Sequence, residues 1–93
     1  TQYDRPLQLT DAPGIVWATQ IIEDCYRDDY QLKRRYTTLI GKYDLMKFTF
    51  HPIARIPGIS LSSYQVAVDE SKGLVYFASE GKLKSLPLAK IRL

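Results

Sequence analysis

From Ile15 to Tyr43 the apolar residues fall mostly three or four apart: Ile15, Ala18, Ile22 and Tyr26, then Leu32, Tyr36, Leu39 and Tyr43. That spacing predicts helix, as one segment or two, with residues 14–43 mainly helical and 20–36 at its centre. Thr10 or Asp11 is a candidate cap, and Pro13 suits a first helical turn. Glu23 with Arg27 and Asp29 with Lys33 form pairs four apart in the favourable order. The runs Ile15-Val16-Trp17 and Thr37-Thr38 also suit strands, so 14–22 reads as helix or strand.

Beyond Tyr43 the period becomes two. Met46, Phe48 and Phe50 alternate with Lys47 and Thr49 as in a half-buried strand, which His51-Pro52 ends. Tyr64, Val66 and Val68 predict a second strand, and Asp69 to Gly73 supply turn residues. Leu74 to Ser79 predict a third strand, and Gly81 offers the positive φ of the next turn. Leu83 to Leu93 predict a fourth, with Pro87 at an edge, a bulge or a strand end. The stretch from Val66-Ala67-Val68-Asp69 to Gly73-Leu74-Val75-Tyr76-Phe77 is similar to one hairpin of a β-propeller blade, which implies a hairpin and no more. Residues 1–13 read as an extended arm with a short strand around Leu7 and Leu9. The expected fold is α+β: an N-terminal helix, or two, packed on a three- to four-stranded antiparallel sheet with a C-terminal meander, all in one small domain of 93 residues.

Composition narrows the function classes. Seven Tyr, three Phe and one Trp supply large side chains to a small core. Cys25 is the only cysteine, so no disulfide forms within the chain and a reducing, cytoplasmic setting is expected. No apolar run approaches the roughly 20 residues that cross a bilayer as a helix, so no membrane partner is expected.

Charge is unevenly spread. Residues 1–31 hold two bases against six acids, or −4, while 32–93 hold eleven bases against four acids, or +7. Such asymmetry points to an anionic partner, although a helix with acids early and bases late would produce part of it. Lys33, Arg34 and Arg35 form one basic group, and Lys82, Lys84, Lys90 and Arg92 form another after the last acid, Glu80. These seven are the candidate nucleic-acid-binding residues. Positions two apart on a strand share a face, so Lys82 with Lys84 and Lys90 with Arg92 would track phosphates together. Lysines on an edge strand also block pairing with other chains. Tyr76 and Phe77 occupy opposite faces of their strand, so one belongs to the core and the other, with Tyr64 or Phe48, is a candidate for base stacking.

Catalytic, metal and cofactor sites are not expected. Cys25 and His51 would be the one nucleophile–base pair, but the habit of cysteine places Cys25 in the core beside Ile22 and Tyr26. Two Cys or His residues cannot supply the four ligands of a structural zinc site, and Asp24 with Asp28 fall short of the six or more oxygens a hard cation takes. The five glycines spell no phosphate-binding loop, and no small-molecule ligand is evident. The expected function is a non-catalytic small binding module that contacts nucleic acid through a basic C-terminal sheet edge. The alternative is a protein–protein interaction or assembly module, either self-associating or part of a larger complex.

Overall fold

A computed structural model describes residues 7–93; residues 1–6, which carry the start of the expected arm, lie outside it. The strands are β1 (Ile15–Asp28), β2 (Gln31–Asp44), β3 (Thr49–Pro57), β4 (Val66–Asp69), β5 (Leu74–Ser79) and β6 (Lys82–Pro87). A 3-10 turn at Ser63–Gln65 and a single helical turn, α1 (Leu88–Ile91), complete the order. β1, β2 and β3 form one antiparallel sheet, and β4, β5 and β6 form a second.

This overturns the α+β expectation, because the segment 14–43 is a long hairpin and among the described residues no N-terminal helix packs on a sheet. Steps of four residues are even, so Ala18, Ile22 and Tyr26 share a face of a strand as well as of a helix. The β-branched residues at both ends of the segment decide in favour of strand. Thr10 caps no helix; its hydroxyl accepts from Ala12 N–H in a tight turn before Gly14. Met46 and Phe48 lie in the turn between β2 and β3, where the Asp44 carboxylate accepts from Met46 and Lys47 N–H. His51 and Pro52 sit inside β3 and do not end it.

Gly41 makes a bulge between β2 and β3. Ile40 pairs with Ala54 but Gly41 pairs with Pro52, which leaves Ile53 out of the ladder. A side chain at Gly41 would collide with the His51 carbonyl, so only glycine fits. The Ile53 carbonyl instead accepts from Leu93 N–H, next to a bridge between Ala54 and Arg92.

The sheets face each other across Trp17, Ile40, Ala54 and Ile56 from the first and Val68, Val75 and Phe77 from the second, with Leu61 and Leu88 filling the gaps. Both margins are tied by polar groups. Gln8 accepts Trp17 N–H on its own carbonyl, while its side chain holds the N–H and carbonyl of Val68 at 2.7 and 2.6 Å. Gln8 therefore links the edge of β1 to the edge of β4. Thr19 donates to the Leu61 carbonyl at 2.8 Å, and Thr38, fully buried, donates to Ile59 at 2.7 Å and accepts from Leu61 N–H at 3.0 Å. In the turn from β4 to β5, the Ser71 hydroxyl and Lys72 N–H bind the Asp69 carboxylate and hold its pKa below the ordinary aspartate value.

Thr38→Val keeps the shape of the side chain but leaves a buried donor and a buried acceptor unmet. It is expected to lower unfolding free energy by about 2–3 kcal/mol in denaturant melts, whereas Thr38→Ser, which keeps both bonds, costs about 1 kcal/mol.

Candidate functional site

β1 and β2 each run 14 residues, while β3 has 9 and pairs with β2 only as far as Thr37. The hairpin therefore continues past the sheet as a two-stranded ribbon, and the molecule measures 49 × 30 × 28 Å. Most side chains from Gln20 to Arg35 are exposed.

The register sets an acidic strand against a basic one, with Asp24 opposite Arg35 and Tyr26 opposite Lys33. Three ion pairs cross the ribbon: Lys33–Asp28 at 3.1 Å, Arg34–Glu23 at 3.2 Å and Arg35–Asp24 at 3.2 Å. Arg35 also lies 4.5 Å from the centre of the Tyr26 ring. Exposed pairs of this kind contribute about 0.2–1 kcal/mol each, so their main effect is on register and net charge. Four acids and four bases make residues 21–36 neutral overall.

The tip is a two-residue turn in which Asp29 and Tyr30 both have positive φ, 53° and 66°. The turn from β5 to β6 has the same form with Glu80 and Gly81, at 55° and 72°. Glycine is the ordinary occupant of the second position because it has no Cβ to clash. Tyr30 occupies it under strain, is 98 % exposed, and makes no hydrogen bond or ring contact among the described residues. Ile21, Ile22, Leu32 and Tyr36 add exposed apolar surface along the ribbon.

The candidate basic residues are not brought together. Lys33, Arg34 and Arg35 are spent on the ion pairs of the ribbon. Lys82 and Lys84 lie at the start of β6, where Lys84 pairs with Phe77 and so shares the inner face of its sheet. Lys90 and Arg92 lie beyond the far end of that strand, on and after α1. These four form no ion pair among the described residues. Arg92 instead joins Lys42 and Lys72, two cations not singled out in the sequence, around a cleft of about 580 Å³ floored by Trp17 and Leu88. Lys42 reaches Glu70 at 3.4 Å and lies 5.1 Å from the Trp17 ring centre.

Of the aromatic candidates, Phe77 is core, and Tyr76 lies between Ala67 and Ser85 on the outer face. Tyr64 and Phe48 are exposed on separate turns. Cys25 is exposed, contrary to the core placement expected of it, because the ribbon carries it beyond the second sheet. It lies opposite Arg34, whereas His51 lies opposite Lys42, eight residues or roughly 27 Å along β2. The two do not form a dyad. Asp24 and Asp28 are each engaged by a base, and among the described residues no group of three or more His, Cys, Asp or Glu is placed to hold a metal. No described helix is long and apolar enough to cross a membrane. The chain matches no protein-family model, no curated protein and no solved structure.

Tyr30→Gly relieves the turn, and is expected to slow amide exchange of Lys33 and Arg35 about fivefold, equivalent to about 1 kcal/mol of hairpin stability. Two-dimensional NMR reads this directly.

Proposed function

We propose that the chain is a non-catalytic assembly module that docks onto protein through the β1–β2 ribbon. The observation that carries this reading is the strained, exposed Tyr30 at the tip of a ribbon that adds nothing to the core. A two-stranded ribbon is marginal on its own, and exposed apolar residues along it gain most when a partner covers them. Electrostatic neutrality favours protein over nucleic acid here, since phosphate binding needs uncompensated cations. An exposed, unpaired Cys25 fits the reducing conditions of the cytoplasm.

Nucleic acid is the second reading, and it rests on Lys82, Lys84, Lys90 and Arg92, which carry no carboxylate partner among the described residues. Their separation into two groups weakens it.

Replacing residues 23–36 by Asn-Gly closes the hairpin at the Ile22–Thr37 pair and removes no core side chain. The shortened protein is expected to keep its thermal midpoint within a few degrees of the parent, about the range of 1 kcal/mol for a small domain, and to lose the proteins retained from its own cell extract. Retention of the same proteins counts against the ribbon as the docking element. For the second reading, single- and double-stranded oligonucleotides are titrated at low and physiological salt. Saturable binding that weakens with salt, and by about tenfold or more on reversing the charges of Lys82, Lys84, Lys90 and Arg92, would establish it.

A further inference from the structure

We propose that the open edge of β1 pairs antiparallel with the same edge of a second copy of this chain, with Cys25 on the two-fold axis and Glu23 opposite Arg27 of the other copy. The inference rests on the ribbon being a docking element, and names its partner.

Alternate residues of a strand send their N–H and carbonyl to opposite sides. Trp17 and Thr19 direct their N–H groups away from β2, to the Gln8 carbonyl and the Ser63 hydroxyl at 2.8 and 2.9 Å. The same phase turns Ile21, Glu23, Cys25 and Arg27 to the open edge of β1. On β2 the Tyr36 carbonyl faces Gly58, so Leu32 and Arg34 face the other open edge.

The two edges differ in what they do beside a copy of themselves. Self-pairing of β2 about Lys33, Arg34 or Arg35 sets like charges directly opposite each other, which destabilises a ladder. An axis at Leu32 sets Arg34 against Tyr30 of the tip turn and leaves Leu32 as the single outward-facing rung within the strand, so the basic strand is excluded. β1 carries both signs, and its registers can be compared one by one. An axis at Glu23, Asp24 or Arg27 opposes identical charges, and an axis at Tyr26 opposes Asp24 to Asp28. An axis at Asp28 opposes identical charges, and an axis at Ile21 or Ile22 draws in Thr19, whose N–H is already held by Ser63.

An axis at Cys25 opposes no like charges. It sets Glu23 against Arg27 twice, once on each side of the axis, with Asp24 against Tyr26 and Ile22 against Asp28. Glu23, Cys25 and Arg27 are the residues whose main-chain groups face outward, so all three rungs become hydrogen-bonded pairs. Arg27 is the one ribbon base with no ion pair among the described residues, and this pairing supplies its carboxylate. The product is an isologous four-stranded sheet in the order β2-β1-β1-β2, no longer a marginal two-stranded ribbon.

Sedimentation of the whole chain from micromolar to millimolar concentration is expected to show a monomer–dimer equilibrium. Glu23→Arg and Arg27→Glu each oppose like charges across the axis and should raise the dissociation constant about tenfold or more. An equimolar mixture of the two variants turns every opposed pair back to opposite sign, and should associate within about threefold of the parent. That recovery also demonstrates that both variants fold. A short bismaleimide should join Cys25 to Cys25 in the parent and fail in Arg27→Glu. A chain that stays monomeric throughout overturns the pairing, as does a dimer that both variants leave intact, or one they weaken without recovery in the mixture. A monomer that still loses its cellular partners when residues 23–36 are replaced overturns this inference alone; one that keeps them overturns the docking reading as well.

Discussion

The two sheets are fastened to each other at their margins by side chains that stand in for main chain. Gln8 presents an amide to Val68 as a neighbouring strand would, and Thr38 serves both a carbonyl and an N–H of the 59–61 segment. Thr19 adds a bond to the Leu61 carbonyl. These contacts fix where Leu61 enters the core, in one buried cluster with Ile40 and Val75. A net worth of about 1 kcal/mol per bond understates their role, because the same groups left unmet in the interior would cost more than the bonds return.

The ribbon has the reverse economy. Its polar groups are exposed and cheaply solvated, so its ion pairs contribute little to the free energy of folding. What they favour is alignment: the observed register brings Glu23, Asp24 and Asp28 each to a base. The same matching removes net charge from a long exposed element, which leaves shape, apolar side chains and free main-chain edges as its means of recognition.

Much of the C-terminal half is legible in the sequence, since Val66 to Phe77 alternate around turn residues and Gly81 occupies the positive-φ position it suggests. The N-terminal half misleads because several of its apolar residues, Ala18, Ile22 and Tyr26 and again Leu32 and Tyr36, recur at steps of four, which helix and strand share. A better signal was present in the charges. Glu23, Asp24 and Asp28 stand before Asp29 and Tyr30 and Lys33, Arg34 and Arg35 after them, on the two arms of the hairpin with Asp24 directly opposite Arg35, and the acid-to-base progression that resembles a helix macrodipole is a hairpin read lengthwise. The lack of glycine at the tip hid this turn. Lys42 and Lys72 could not be grouped with Arg92 from sequence, because the cleft they line is made by the packing of β1, β2, α1 and the turn from β4 to β5.

The bulge at Gly41 has a consequence for the order in which the molecule assembles. Ile53, freed from its own ladder, waits for Leu93, and the bridge from Ala54 to Arg92 forms only when a segment about 40 residues further along has been made. The ribbon is built from near neighbours and closes on the microsecond scale of an isolated hairpin, whereas the interior needs contacts spanning most of the chain. A nascent chain would thus sample its most exposed element before it has a core to anchor it.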